Sequence, residues 1–274
     1  MRSGAESSTV PRIPRGTDAL GSTGTAAPQI WYQIQGGRYR GDEPFFYPPE
    51  DHPWVATLEA AAPMIREELT QLLDADHKSL LPYFSRAMAF PPGQWKTLGF
   101  FFWNLKLHSN CKRCPGITRL LESIPNLTAG SLSVLEPKSN INPHQGDTNA
   151  IIRAHLGLSI PAPLPDCGLQ VGDEARSWEE GKMLLFCDAH NHTAWNHADR
   201  RRLVFIVDVM HPELADRTSE ICSHVLADQV LQRLYQRFRW LGAASGRWRY
   251  GLHALLRTGI RAVLPIQRRL PWLL

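Results

Sequence analysis

The spacing of apolar and polar residues separates helix-forming from strand-forming stretches. From Trp54 to Leu73 apolar residues recur at helical spacing among acidic ones, which predicts an amphipathic helix that covers a sheet. Between about 130 and 210, short apolar runs bounded by turn signals predict strands. These are Ser131–Leu135, Ala150–Ile160, Gly168–Val171, Lys182–Phe186 and Arg202–Met210. Such short antiparallel strands favour a barrel or jelly roll, so we predict a mainly β fold with flanking helices.

Composition changes at both ends of this patterned region. Residues 1–42 are rich in Ser, Thr, Gly, Ala and Pro and show no periodicity, so we expect a disordered leader. Residues 43–215 are predicted to form one domain, with a β core over about 130–212. Residues 216–274 are predicted to form a basic amphipathic helical tail, because apolar residues recur there at helical spacing.

The positive charge of the chain belongs to this tail. The formal net charge is +4, and nine arginines but no acidic residue follow Gln229, so subtracting nine leaves −5 for the rest. Three interpretations stay open: a helical pair packed on the domain, contact with an anionic membrane surface, or binding of nucleic acid on charge alone. No recognition motif supports the third, so no specific nucleic-acid partner is expected.

The cysteines and the N-terminal sequence bear on the compartment. Five cysteines, an odd number, give no disulfide framework and favour a reducing setting. Cys111 and Cys114 form a single pair without a second one at zinc spacing, so ordinary loop cysteines are the preferred interpretation. Because we find neither a secretory h-region nor roughly 18 consecutive apolar residues, we predict a cytoplasmic protein or one peripheral to a membrane.

The candidate chemistry centres on two histidines, His144 and His192. Imidazole is a good ligand for Fe(II), and the usual oxygenase site joins two histidines to one carboxylate. That motif carries Asp or Glu two residues after its first histidine, where this chain has Gly146. Asp147 and Asp188 are nearby without the expected spacing. From the residues alone, an iron site is therefore a weakened hypothesis.

Strand alternation places two further polar residues near these histidines. In Ala150–Leu158, Arg153 and His155 share a face opposite to the apolar residues. A second strand arginine, Arg202, lies ten residues beyond His192. A buried arginine needs an anionic partner, and its planar fork suits a carboxylate. A structural carboxylate could neutralise one such arginine, but two arginines beside two histidines suggest an anionic ligand.

A longer ordered set of motifs resembles a known family. Ser131–Pro212 resembles the catalytic core of the aspartyl/asparaginyl β-hydroxylases, which are iron(II)- and 2-oxoglutarate-dependent oxygenases with a double-stranded β-helix (jelly roll, cupin-like) core. The motifs that carry this resemblance are Pro143–Asn149, Arg153–Leu158, Trp178–Lys182, Phe186–Asp188, His192–Trp195, Arg202–Val209 and His211–Glu213. Weaker similarity extends upstream to about Phe45.

The resemblance implies a metal site without a carboxylate ligand. Members of the family resemble this chain in having glycine at the place of Gly146 and in binding iron through two histidines. Carried over to this sequence, the metal ligands and catalytic residues are His144 and His192. His190 is the main rival for the second position, although the spacing to Arg202 favours His192. Contributions from Asp147 and Asp188 stay open.

The same resemblance implies how the co-substrates 2-oxoglutarate and O2 are used. Arg202 and Ser133 would hold the distal carboxylate of 2-oxoglutarate, and Ser131 would replace Ser133 if the register shifts by two residues. Arg153 and His155 would lie at the other end of the co-substrate, near the iron. The reaction implied is oxidative decarboxylation of 2-oxoglutarate coupled to hydroxylation of an unactivated carbon.

Three functional hypotheses follow. The first is a dioxygenase that hydroxylates the β-carbon of an aspartyl- or asparaginyl-type residue or amino acid. The second keeps the mechanism but acts on a lipid acyl chain at a membrane surface, because bacterial lipid hydroxylases resemble the same family and the basic tail suits that substrate. The third is a non-catalytic binding module. The presence of His144, His192, Arg153 and Arg202 disfavours the third.

Overall fold

The computed structural model describes residues 29–238 and 246–270. Its strands are β1 (Phe46–Tyr47), β2 (Leu81–Pro82), β3 (Ala89–Phe90), β4 (Trp95–Phe102), β5 (Leu105–Lys106), β6 (Leu127–Leu135), β7 (Ser139–His144), β8 (Ile151–Ser159), β9 (Cys167–Val171), β10 (Glu174–Arg176), β11 (Met183–Phe186), β12 (His192–Asn196) and β13 (Arg202–Met210). The helices are α1 (Gln33–Gly36), α2 (Trp54–Ala60), α3 (Ala62–Ala75), α4 (His108–Arg113), α5 (Pro115–Ser123), α6 (Thr218–Arg237) and α7 (Gly246–Gln267).

These strands form two antiparallel sheets. The larger has the order β1-β11-β8-β13-β6-β4-β2, with β5 also paired to β4, and the smaller has the order β10-β9-β12-β7-β3. From β6 to β9, and again from β11 to β13, successive strands alternate between the two sheets. This alternation is the winding of a double-stranded β-helix, and it confirms the predicted jelly-roll fold class.

The two faces of the larger sheet have different surroundings. On β8 the apolar set Ile152, Ala154 and Leu156 packs into a core with the helices that cover the outer face. Arg153 and His155 alternate with them and face a cavity on the side of the smaller sheet. The predicted division of this strand into two faces is confirmed, since successive strand side chains point to opposite sides.

The helices cover the larger sheet as the apolar spacing predicts, although with a break. The predicted helix from Trp54 to Leu73 is two helices, α2 and α3, with Ala61 between them. Leu58, Ile65 and Leu69 are buried against the sheet. Pro63 lies in the first turn of α3, where a missing backbone N–H costs no helical hydrogen bond, and the second helix can therefore begin there.

The predicted leader differs from the structure at its C-terminal end. Residues 1–28 lie outside the described residues, whereas residues 29–42 pack against the domain. Tyr32 bridges to Thr148 as a β-partner, and Tyr39 is buried beside Cys187 and Ala189. The prediction of a disordered segment up to residue 42 missed these contacts, because Trp31, Tyr32 and Tyr39 form no periodic pattern in the sequence.

The predicted tail also begins inside the packed structure. Helix α6 buries Ile221, Cys222 and Val225 in a cluster that includes Trp103 and Ile151. Leu264 of α7 joins the same cluster, while much of α7 is exposed. Residues 239–245, between the two helices, lie outside the described residues. Among the residues that are described, no helix is both long and apolar enough to cross a bilayer.

The paired cysteines are part of the helical core and not of a loop. Cys111 lies in α4 and Cys114 at its C-terminal end, and both are buried free thiols. Burial raises the pKa of both thiols, that of Cys114 to about 11. Low thiolate content at neutral pH agrees with the preference for ordinary over reactive cysteines.

Glu68 fixes the junction between α3 and α5. Its carboxylate accepts hydrogen bonds from the backbone N–H groups of Gly116 (2.7 Å) and Ile117 (2.8 Å), in the first turn of α5. Because these donors have no partner within the helix, we predict that Glu68→Ala lowers the free energy of unfolding by about 1–2 kcal/mol. Denaturant unfolding would measure it. Glu67→Ala, which removes only an exposed contact to Gln71, is the control and should change stability little; equal losses would contradict the prediction.

Candidate active site

A narrow cavity lies between the two sheets. The larger sheet and the smaller sheet both contribute to its wall, and the side chains mix six polar groups with apolar ones. The lining residues are Trp95, Ser133, Ile141, His144, Arg153, His155, Leu169, Phe186, His192, Ala194, Arg202 and Ile206. The six residues to which the family resemblance gives a role therefore all lie in this one cavity.

Strand pairing brings the two histidines together. His144 ends β7 and His192 begins β12, and the two are direct partners across the antiparallel pair. Their ring centroids are 4.2 Å apart. Each Nδ1 lies 2.9 Å from a backbone carbonyl two residues earlier, that of Asn142 for His144 and that of His190 for His192. With Nδ1–H donating to these carbonyls, each Nε2 is the ring atom left for a ligand.

The protonation state of both rings suits metal binding. Burial lowers the pKa of His144 to about 4 and that of His192 well below its ordinary value. The charge of Arg153 lowers both further. The two imidazoles are thus neutral at neutral pH, which is the state that ligates a metal.

Arg202 is a buried charge without a carboxylate partner. It is 1 % exposed, and among the residues described no Asp or Glu oxygen lies within ion-pair distance of it. Its Nη1 donates a long 3.4 Å bond to Ser133 Oγ, its Cζ lies 4.7 Å from the centre of the Trp178 ring, and its Nε has no partner. Burial lowers its pKa to about 10, so it stays charged at neutral pH.

His155 is a second residue of this cavity with a buried donor that lacks a partner. Its Nδ1 accepts a hydrogen bond from Trp178 Nε1 at 3.2 Å, which places the ring proton on Nε2. That Nε2 is buried, lacks a hydrogen-bond partner, and belongs to a residue that lines the cavity. Unpaired buried donors are costly, so two of them in one cavity indicate a missing acceptor.

Arg153, in contrast, is paired with carboxylates of the protein itself. Its Nε and Nη2 donate to the two carboxylate oxygens of Asp208 at 2.8 and 2.7 Å, and its Nη1 lies 2.6 Å from Asp188 Oδ2. Burial and the neighbouring carboxylates raise the pKa of Asp188 to about 7, against the opposing effect of Arg153. The sequence predicted that both arginines need an anionic ligand. In the structure this holds for Arg202 alone, because Asp208 and Asp188 already pair with the guanidinium of Arg153.

Gly146 has a steric explanation in this arrangement. The backbone N–H of Gly146 donates to the carbonyl of Asp188 at 2.6 Å, and a Cβ at 146 would collide with the Asp188 carboxyl group. A carboxylate side chain at this position, as in the usual oxygenase motif, has no room. Asp188 instead brings a carboxylate to the same place from β11's loop, where it is held by Arg153.

The other candidates raised by the sequence lie outside the cavity wall. His190 Nε2 lies 2.7 Å from the backbone carbonyl of Glu43, and its ring packs against Tyr39 and Phe45. Asp147 accepts hydrogen bonds from Trp103 and Gln229, which ties its loop to α6. Of the two serines considered, Ser133 lines the cavity and contacts Arg202.

Sequence reasoning missed two residues that organise the cavity. Trp178 donates to His155 and stacks against the guanidinium of Arg202, and Asp208 neutralises Arg153. Asp208 lies six residues after Arg202, so alternation puts both on one face of β13, and the pairing of β13 with β8 then brings Asp208 opposite Arg153. Trp178 lies in the loop before β11, and no periodic signal points to it.

A larger surface depression lies elsewhere and lacks this chemistry. It has a volume of about 690 Å³ between α3 and the segment Glu180-Gly181. Its polar side chains are exposed, as in the Arg66–Glu180 ion pair at 3.4 Å, and no histidine lines it. Exposed ion pairs of this kind contribute little and indicate no ligand, so the cavity between the sheets is the candidate active site.

Comparison with known proteins assigns the chain to a family. The profile of the aspartyl/asparaginyl beta-hydroxylase family matches residues 59–212, more than half of the chain. The chain belongs to this family. All of the cavity residues fall within the matched region. The resemblance noted from the sequence motifs is thereby confirmed.

Individual members of the beta-hydroxylase family have different names. The ornithine lipid ester-linked acyl 2-hydroxylase of Rhizobium tropici is 35% identical over 174 residues, which cover 62% of this chain and 61% of that protein. The human aspartyl/asparaginyl beta-hydroxylase is 31% identical over 221 residues, covering 72% of this chain and 28% of that protein. This chain therefore spans less than two thirds of the length of either relative.

A distant likeness to a solved structure also exists. The prolyl-4-hydroxylase of Pseudomonas putida superposes with a TM-score of 0.35 at 15% identity, covering 60% of this chain and 89% of that one. A similarity this low carries no information about function. Membership of the beta-hydroxylase family makes this chain a relative of hydroxylases.

The collision at Gly146 gives a direct test of the site geometry. We predict that Gly146→Ala lowers the free energy of unfolding by about 1–3 kcal/mol, because its Cβ would have to displace the buried Asp188 carboxylate. Thermal unfolding of the purified variants would measure the loss. Gly251→Ala on the exposed face of α7 meets no atom within 4 Å and should be neutral or slightly stabilising. A Gly146→Ala protein as stable as wild type would contradict the described packing.

Proposed function

We propose that this chain is an iron(II)- and 2-oxoglutarate-dependent dioxygenase that hydroxylates an unactivated carbon. The observation that carries the proposal is the fully buried Arg202, which has no carboxylate partner in the described structure and shares a cavity with His144 and His192. A cationic anchor and a neutral imidazole pair in one cavity fit a dicarboxylate bound beside a metal. Membership of a hydroxylase family supports the same conclusion.

His144 and His192 would hold the iron. Both rings are oriented by Nδ1 contacts to backbone carbonyls, which fixes the tautomer that offers Nε2. Bound iron supplies the redox chemistry by which 2-oxoglutarate, O2 and a C–H bond give succinate, CO2 and an alcohol. Because only two side chains of this chain would hold the iron, the cavity beside them would stay free for the co-substrate.

Arg202 and Ser133 would bind the distal carboxylate of 2-oxoglutarate. A carboxylate there would accept from the unpaired Nε of Arg202 and neutralise its charge inside the cavity. Trp178 against one face of the guanidinium and Trp95, which donates to Ser133 Oγ at 3.0 Å, fix both groups in place. The alignment costs little on binding because these side chains are already ordered by their neighbours.

His155 and Arg153 would act closer to the iron. The unpaired Nε2–H of His155 is available to a carboxylate or keto oxygen of the co-substrate. Arg153 would position Asp188 beside Gly146, since its own donors are engaged by Asp188 and Asp208. Apolar walls at Ile206 and Phe186 would keep bulk water away from the reacting centre.

Substitutions of His144 and of Arg202 should have different kinetic effects. We predict that His144→Ala lowers 2-oxoglutarate-dependent succinate formation more than about 100-fold, because a metal ligand is lost. Arg202→Lys should raise the KM for 2-oxoglutarate about 10- to 100-fold, since a compact ammonium cannot replace the planar fork. Succinate measured by mass spectrometry after anaerobic loading with Fe(II) would report both.

His190→Gln is the matched control for these variants. This histidine is two residues from His192 but bonds to the Glu43 carbonyl outside the cavity, so the variant should retain turnover. Robust turnover by His144→Ala, or an unchanged KM in Arg202→Lys, would contradict the proposal.

The substrate class has two candidates, and the surface beside the cavity favours the second. The first is an aspartyl- or asparaginyl-type residue or amino acid, as the name of the human relative suggests. The second is a lipid acyl chain, as in the name of the Rhizobium relative. Leu81, Phe84 and Phe90 are 62%, 57% and 65% exposed, an unusual concentration of apolar surface on one short segment.

This apolar segment connects directly to the cavity wall. Tyr83 stacks on Trp95 with ring centroids 3.8 Å apart, and Phe90 pairs with Asn140 on β7, the strand that ends at His144. The guanidinium of Arg233 lies 5.7 Å from the ring centre of Phe84. Apolar side chains beside a cation suit an amphiphile with an anionic headgroup.

Helix α7 presents a second surface of the same character. Trp248 and Leu255 are 77% and 71% exposed, and Ile266 shares their side of the helix. Arginines including Arg249 and Arg261 flank this stripe, as in helices that lie in a membrane interface. We therefore propose peripheral contact of α7 with anionic lipid.

Sedimentation with liposomes tests the lipid alternative. We predict that the protein co-sediments with vesicles rich in phosphatidylglycerol, and that Trp248→Ser with Leu255→Ser reduces the bound fraction at least about 10-fold through lost apolar burial. Leu164→Ser, a less exposed leucine on the loop before β9, is the matched control and should bind as wild type does. Indifference to anionic lipid, or equal loss in the control, would contradict a membrane-surface substrate.

A further inference from the structure

Helices α6 and α7 bring together a second set of metal-binding side chains. His224 and Asp228 lie one turn apart on α6, and His253 projects from α7 toward them. One ligand atom from each of the three lies within 4.8 Å of the other two. His224 and Asp228 are buried, and His253 is half-buried. None of the three lines the cavity between the sheets.

The distances within this cluster suit a shared metal ion. Asp228 Oδ2 lies 3.4 Å from His224 Nε2, and Asp228 Oδ1 lies 3.1 Å from His253 Nε2. Zinc bonds to imidazole nitrogen and carboxylate oxygen near 2.0–2.2 Å, so two ligand atoms of a tetrahedral site are about 3.3 Å apart. The 3.4 Å contact is longer than an ordinary N–H···O hydrogen bond. Each separation is close to the tetrahedral value, but the two histidines face different oxygens of the Asp228 carboxylate, so a rotation of that carboxylate is needed to bring one oxygen to both of them.

The surroundings hold the ligand side chains in position. The ring of Tyr32 stacks on His224 with centroids 3.9 Å apart, which fixes the orientation of that imidazole. His253 Nε2 is buried and makes no hydrogen bond to the described residues, so this nitrogen is available to a ligand.

We propose that His224, Asp228 and His253 bind one zinc-type divalent cation that fastens α7 to α6. Two imidazoles and one carboxylate form a set typical of Zn²⁺, with water as the fourth ligand. The site is separate from the proposed iron site and does not depend on it. It joins the segment containing Tyr32 and both C-terminal helices at one point, next to Gln229, which bonds to Asp147 at 2.9 Å.

Titration with Co²⁺ tests this proposal on the full chain. Co²⁺ reports tetrahedral coordination by its visible absorption and also binds histidine pairs, so the wild-type protein should take up two ions. A His144→Ala, His192→Ala protein should retain one ion, with tetrahedral bands that Zn²⁺ abolishes. Absence of stoichiometric Co²⁺ in the double variant, with its fold verified by circular dichroism, would overturn the proposal.

Substitutions in the double-variant background then locate the ion. Asp228→Asn and His253→Gln, which preserve side-chain size, should each weaken Co²⁺ binding at least 100-fold. His108→Gln is the matched control, because His108 also contacts α7, through the backbone carbonyl of Gln267 at 2.7 Å, without joining the cluster. If Co²⁺ still binds to each of the two variants, or if His108→Gln loses Co²⁺ as they do, the ion binds elsewhere and the proposed site is refuted.

Discussion

A full positive charge buried between two sheets, that of Arg202, is the constraint on which the site depends. Removing a guanidinium from water without an ion-pair partner costs several kcal/mol even after the protein relaxes. The structure offsets part of this cost with the face of Trp178 and the hydroxyl of Ser133, but no carboxylate of the described residues reaches it. Such a charge is tolerated where an anionic ligand neutralises it, and this explains why a cavity remains between the otherwise packed sheets.

The second buried arginine shows the opposite solution. Arg153 donates two hydrogen bonds to Asp208 and forms an ion pair with Asp188, so its charge is neutralised within the protein. Both arginines lie on neighbouring strands of one sheet, β8 and β13, and their different partners divide the cavity into a structural and a ligand-binding end. His144 and His192 lie across the cavity on the smaller sheet, where pairing of β7 with β12 sets their distance.

Much of this arrangement could be predicted because strand alternation is a local property. The faces of β8 follow from a two-residue period, and the jelly roll follows from the spacing of short strands. Gly146 illustrates what a local pattern leaves out. From the sequence alone, the missing carboxylate at Gly146 argues against an iron site. In the structure the carboxyl group of Asp188, forty-two residues later, fills the volume that a side chain at 146 would need. Contacts at such separation depend on register, which the sequence leaves open.

The ends of the domain were harder to predict for a related reason. Residues 29–42 carry a few aromatic anchors in a sequence otherwise typical of disorder, and their order comes from partners such as Thr148 and Cys187. The helical tail was expected from its apolar spacing, yet α6 is largely buried and α7 contributes His253 to a cluster with α6. Amphipathic spacing identifies such helices, while the side on which each one packs depends on the whole fold.

Calorimetric titration of two co-substrate analogues would test the central claim most directly. The protein would be loaded with Mn²⁺ without O2, and 2-oxoglutarate compared with 2-oxobutyrate, which keeps the keto acid but lacks the distal carboxylate. If that carboxylate answers the charge of Arg202, 2-oxobutyrate binds at least about 30-fold more weakly, and Arg202→Lys reduces the difference. Equal affinity of the two acids for the wild-type protein would contradict the account.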